Sequence, residues 1–169
     1  MPEPVLLAIE PLTKAAFEPF GEVIEIAGAE RKLINEGYAE RFHALTSADV
    51  AAGGGRAILS IFRAKRRPLP LLISMMERHP LGSQAFYPLV PNTWLVVVCE
   101  GVERPNPTSL RCYCATGQQG VNYARNTWHH PLLILEPHQD FLIIDREGPG
   151  KNLEEVHWDA TGDRRLIEV

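Results

Sequence analysis

Cysteine is scarce in this chain. The 169 residues include three, Cys99, Cys112 and Cys114, and no two of them have the spacing of a tetrahedral metal site. They read as small buried apolar side chains. No apolar run approaches the length of a membrane span. The opening MPEPVLLAIEPL lacks a basic n-region and a cleavable apolar stretch, so the expected location is cytoplasmic, with reduced thiols. A basic excess is missing too. The formal net charge is -4, which leaves little to displace counterions from phosphates. Nucleic acids and anionic membranes are therefore not expected partners. A local basic cluster, Lys65-Arg66-Arg67, reads as a solvated turn. There is no internal repeat and no low-complexity tract.

What is present suits one globular domain over residues 1–169. Hydrophobic residues make up 45% and charged residues 22%, enough for a core. Fourteen prolines and thirteen glycines are spread along the chain rather than pooled, as in a fold of many short strands. LTKAAFEPFGEVIEI predicts a short helix capped by Thr13, closed near Gly21 and followed by a strand. SADVAAGGG allows one helical turn. In RAILSIFRA, alternation puts Ala57, Leu59, Ile61 and Arg63 on one face. PLLISMMERHP, read as a strand, puts Ile73, Met75, Glu77 and His79 on one face. TWLVVVCEG is a continuous apolar run, as in a strand buried on both sides. SLRCYCA, HPLLILEP and DFLIIDREG complete seven or eight strands spaced as in a sandwich or barrel. The core is expected over about 56–145, with the polar tail KNLEEVHWDATGDRRLIEV peripheral.

Reactive side chains gather in two segments. The first runs Glu77-x-His79 and then Gln84. The second, GVNYARNTWHHPLLIL, holds Asn122, Arg125, Asn126, His129 and His130. Residues two apart on a strand face one cavity, and a return strand brings further groups beside them. Asn126 suits a turn that needs positive φ, and His129 follows it by three. His129 and His130 face opposite sides of a strand, so one of them enters the cavity; His129 is the candidate. Glu77, His79, Gln84 and His129 offer two imidazole nitrogens and two oxygens, a set suited to a borderline divalent ion with open positions. The same four also suit a small polar substrate without metal. Glu77 could instead pair with an arginine, and His79 could simply end a strand before Pro80. Arg63, on an apolar face, is either a structural ion pair or a bidentate carboxylate anchor. Phe86, Trp94 and Trp128 are expected in the core.

The first segment resembles one cupin metal motif, with Glu77 in place of a histidine and Gln84 in place of a carboxylate. The second resembles the other. INEGYAERFHAL, LSIFRAKRRPLPL, MERHPLGSQAFYPL and GQQGVNYARNTWHHPLLIL together resemble the ureidoglycolate lyase family of allantoin catabolism, from Ile9 to about Arg146. That resemblance implies a mainly β, cupin-type double-stranded β-helix, usually a homodimer. It implies cleavage of (S)-ureidoglycolate to glyoxylate and urea. It also implies nickel or manganese where a metal is held, although Glu77 and Gln84 depart from the cupin pattern and leave a metal-free cavity open.

The substrate is a hemiaminal carrying a carboxylate. Its cleavage needs a base for the hydroxyl proton and an acid for the departing urea nitrogen. His129 or His79 is the expected base, with Glu77 orienting the imidazole or supplying the second proton. Arg63 is the expected carboxylate anchor, with Arg41 as second candidate, and Gln84 and Asn122 would hydrogen-bond the ureido group. The rival readings are a ureidoglycolate hydrolase releasing ammonia, a cupin of another activity, and a non-catalytic protein that binds glyoxylate or a related acid.

Overall fold

The computed structural model describes residues 3–159 and 164–169. Two sheets face each other, and the chain passes back and forth between them except at the hairpin of Trp94–Cys99 and Arg111–Ala115, which stays in one sheet. Met75–Arg78, Trp94–Cys99, Arg111–Ala115 and Trp128–His129 lie in one sheet, and Arg56–Lys65, Gln84–Pro88, Gly120–Tyr123 and His138–Glu147 in the other. That alternation is the double-stranded β-helix expected from the sequence. The long run at Trp94–Cys99 shows why it closes. All six residues are buried. Trp94, Val96 and Val98 enter the core between the sheets, and Leu95, Val97 and Cys99 enter a second cluster behind.

The core is wider than 56–145. The short helix Lys14–Phe17, capped by Thr13, whose side-chain oxygen accepts from the Ala16 amide at 3.1 Å, delivers Phe17 to the core. Leu12, Phe20 and Val23 join it. Gly21 begins the next strand at φ 147°, and a β-carbon there would lie 2.0 Å from the Asn122 carbonyl oxygen. Only glycine fits that approach.

The tail is not peripheral, and residues 160–163 of it lie outside the described residues. Glu154–His157 adds antiparallel to Met75–Arg78. Arg165–Ile167 lies between Leu71–Ile73 and Val5–Leu6. Val156, Trp158 and Ile167 cover the second cluster. A strand that covers a core from outside shows polar residues to solvent at every second position, which is why this segment looked merely polar. Ile167 has 0% of its surface exposed. Ile167→Ala should lower the unfolding free energy by about 2–5 kcal/mol, measured by denaturant titration. A loss below about 1 kcal/mol would show the tail to be an ornament.

Ala57, Leu59, Ile61 and Arg63 share one face of Arg56–Lys65, as alternation indicated, and that face is the outer one. This strand lies at one edge of its sheet. Phe62 turns inward against Phe86, with ring centroids 6.0 Å apart, and Ala64 packs on the core. Leu59, Ile61 and Arg63 therefore point outward.

Candidate active site and metal centre

Glu77 and His129 are direct cross-strand partners in adjacent antiparallel strands, so their side chains rise from the same face. His79, two residues beyond Glu77, joins them. One ligand atom from each of the three lies within 4.8 Å of the others. His129 Nε2 is 3.5 Å from Glu77 Oε1. The turn before His129 is set by Asn126 at φ 65°, as its residue type suggested.

The two imidazoles are held alike. His79 Nδ1 meets the Asn152 carbonyl oxygen at 2.7 Å, and His129 Nδ1 meets the Thr127 carbonyl oxygen at 2.8 Å. A carbonyl only accepts, so both Nδ1 atoms carry the proton. In the neutral rings the Nε2 atoms are then the free lone pairs. They are buried and without a hydrogen-bond partner among the described residues. This is the arrangement in which an outer carbonyl fixes a metal-ligating histidine. Asn152, from the supposedly peripheral tail, also accepts from the Leu81 amide at 2.7 Å through its side chain, and so fastens the turn after His79. Tyr123 stacks on His129 at 4.1 Å between centroids and 11° between planes.

Charge follows position. Burial works against ionising Glu77, but the imidazoles around it, His129 first and then His79 and His130, outweigh it and hold its pKa below the ordinary value. Burial, with His129 beside it, pushes His79 down, so its imidazole is neutral near pH 7. Burial drives His130 down to about 4. Its Nδ1 is turned to the Pro131 carbonyl at 2.8 Å. His129, not His130, joins Glu77 and His79.

Gln84 arrives from the facing sheet. Its amide donates to Asp145 Oδ2 at 3.1 Å, which leaves Gln84 Oε1 and Asp145 Oδ1 buried and unpartnered. Asp145 was missed, although alternation carried the signal: Phe141 and Ile143 are inward, and Asp145 is the next residue on that face.

In front of this cluster lies a cavity of about 520 Å³. Glu77 and Phe86 line it, Pro131 and Leu132 form one wall, and Arg63, Lys65 and Arg67 stand around it. The basic cluster read as a solvated turn is exposed as expected, but two of its members border this cavity.

Other assignments change. Arg63 is spread against Asp140 in a two-point ion pair at 2.9 Å and 2.9 Å. Arg41 lies on a two-stranded ribbon that joins neither barrel sheet. Asn122 points away from Tyr123, whose ring stacks on His129. Its amide holds Thr46 Oγ1 at 2.8 Å and the Ser47 carbonyl at 3.0 Å, so the ureido role is not its own. Arg78 bonds Glu154 at 2.6 Å and lies over the Trp128 ring at 4.5 Å. Trp94, Trp128 and Phe86 are core, as expected.

A double-stranded β-helix with two imidazoles and a carboxylate converging beside one polar cavity defines a cupin-type small-molecule site. The model of the family described as ureidoglycolate lyase matches residues 4–163, and the chain belongs to that family. It is 53% identical over 154 residues to "Ureidoglycolate lyase 1" of Rhizobium meliloti (strain 1021), covering 91% of this chain and 90% of that one. It is 52% identical over 162 residues to the ureidoglycolate lyase of Azotobacter vinelandii, covering 96% and 97%. A crystal structure of a dTDP sugar isomerase from Desulfovibrio desulfuricans G20 overlays at TM-score 0.43 with 19% identity, covering 78% of this chain and 83% of that one. The fold class rests on the sheet topology and not on that overlay.

Proposed function

We propose that the chain cleaves (S)-ureidoglycolate into glyoxylate and urea at the cluster of Glu77, His79 and His129. The observation that carries this reading is the pair of bare, buried Nε2 atoms facing Glu77 at the inner end of a cavity bordered by cations. Lys65 and Arg67 draw in the substrate carboxylate, Arg63 being engaged by Asp140. The hydroxyl and the ureido nitrogen sit on the same carbon, so one proton carrier can serve both. Glu77 is the carrier, because it alone of the three lines the cavity and is ionised. Its carboxylate accepts the hydroxyl proton, the O–H electron pair becomes the carbonyl π bond, and the C–N pair leaves on the urea nitrogen. The same carboxyl group then gives its proton to that nitrogen. No water is consumed and all atoms balance. The expectation that an imidazole is the base gives way to this, since both Nε2 atoms are enclosed.

The residues fit a divalent cation. Glu77, His79 and His129 would hold it, with Gln84 Oε1 as a fourth donor, and nickel and manganese suit such a nitrogen and oxygen set. Such an ion supplies a Lewis acid that lowers the pKa of the substrate hydroxyl. We also read the protein as a cytoplasmic homodimer. Its three thiols are unpaired, and burial pushes those of Cys99 and Cys112 up to about 12, which leaves them inert.

The deciding assay follows purified protein with racemic ureidoglycolate, corrected for spontaneous decay. Urea and glyoxylate should appear in equal amounts. Ammonia in place of urea would make it a hydrolase, and saturable binding without turnover would make it a sensor. Asp145→Asn should keep the fold and lower kcat/KM by roughly 10- to 100-fold, as losses of such supporting partners do. Unchanged kinetics would remove Asp145 from the positioning of Gln84.

A further inference from the structure

The ribbon of Glu30–Ile34 and Ala39–His43 is paired only with itself. A lone two-stranded ribbon is marginal in water, and this one carries its apolar side chains outward. Leu33 is 64% exposed, Ile34 39% and Tyr38 93%. Its turn runs through Asn35, Glu36 and Gly37, all at positive φ (53°, 60° and 90°). Backbone of that kind persists where something else holds it. A second unpartnered face lies on Arg56–Lys65, where Leu59 is 69% and Ile61 56% exposed. This strand also forms a rim of the cavity that holds Glu77, with Ile61, Arg63 and Lys65.

Area and charge indicate what covers both. The chain exposes 9437 Å², whereas a compact monomer of 18.9 kDa exposes about 8,300 Å². The excess, roughly 1,100 Å², is of the size that one protomer gives to a stable interface. The cavity rim is cationic through Lys65 and Arg67, Arg63 being paired with Asp140, and the ribbon turn presents the acid Glu36. A two-fold axis lets the same two patches meet twice. We propose that the Glu30–His43 ribbon of each chain lies along the Arg56–Lys65 strand of a second copy and closes the mouth of that copy's cavity. Leu33 and Tyr38 cover Leu59 and Ile61, and Glu36 sits among the rim cations. The working cavity is then built from two chains. This rests on the lyase reading for its activity arm only.

Three measurements on the full-length protein test it. Sedimentation should give twice 18.9 kDa, and Leu59→Glu should give the monomer. The double variant Tyr38→Cys, Ile61→Cys should form a covalent dimer on mild oxidation, while neither single variant does so. Finally, a Glu77→Gln chain, with its ribbon intact, is co-expressed with a Leu33→Ser, Tyr38→Ala chain, whose cavity is intact. Random pairing makes half the dimers mixed with one complete site each, so roughly a quarter of wild-type turnover should return from two inactive parents. A wild-type monomer, absence of the 38–61 cross-link, or a mixture as inactive as its parents would each overturn the arrangement. A cross-linked dimer without any wild-type turnover would keep the interface and reject the lyase reading.

Discussion

Glu77→Gln should reduce kcat/KM by roughly 10³-fold, in the middle of the range for loss of a positioned proton carrier, and His129→Ala should do the same. Glu77→Gln is nearly isosteric, so packing is spared. It removes the charge that His129, His79 and His130 favour, and it removes the only member of the cluster that lines the cavity. His129→Ala acts differently. It leaves a void beside Tyr123, which stacks on the imidazole at 4.1 Å, and deletes one of the two bare Nε2 atoms. Compared as metal-free proteins, the first variant should therefore keep the wild-type melting temperature, and the second should lose some stability yet remain folded by circular dichroism. Because the two changes strike one unit, the double variant should be little worse than either single one. Near wild-type kcat/KM in folded Glu77→Gln would remove the carboxylate from the chemistry.

Local periodicity carried much of this. Glu77 and His79 share a face because they are two apart on one strand, and no tertiary information was needed to see it. Asn126 announced its own turn. The apolar run at Trp94–Cys99 announced burial on both sides. Orientation was legible only where one face of a strand was clearly polar. Arg56–Lys65 has apolar residues on both faces, Leu59 and Ile61 against Ile58 and Phe62, so alternation alone could not say which row meets the core. Its register with His138–Glu147 decides that, setting Phe62 beside the buried Phe141 and Arg63 beside Asp140. Asn122 failed for a related reason. It alternates with Val121 and Tyr123, which are both core residues, and so it faces the Thr46–Ser47 loop instead. The role of Asn152 lay beyond any pattern, since it comes from 73 positions after His79 and acts through its backbone carbonyl. Asp145 was within reach: an acid following Phe141 and Ile143 on a buried face is a signal in itself.

Stripping the protein with a chelator should lower kcat/KM by roughly two to three orders of magnitude, the equivalent of several kcal/mol of Lewis-acid stabilisation. Adding nickel or manganese to the stripped protein should restore turnover. It should also raise the melting temperature by roughly 5–10 °C at a hundredfold excess over the dissociation constant. That second readout does not depend on catalysis. It should vanish in Glu77→Gln and in His129→Ala, and persist in Leu59→Glu, which lies outside the cluster. Full turnover after stripping, with no thermal shift for either ion, would establish the metal-free cavity that Glu77 and Gln84 left open. The physical case against that outcome is the state of the two histidines. Their protons are committed to the carbonyls of Asn152 and Thr127, so two acceptor lone pairs face each other across a space closed to solvent. Burying acceptors without a partner costs free energy. Glu77, an acceptor itself when ionised, cannot satisfy them, and Gln84 has turned its amide to Asp145. What the two Nε2 atoms and Gln84 Oε1 lack is an electron-pair acceptor, and a divalent cation is one.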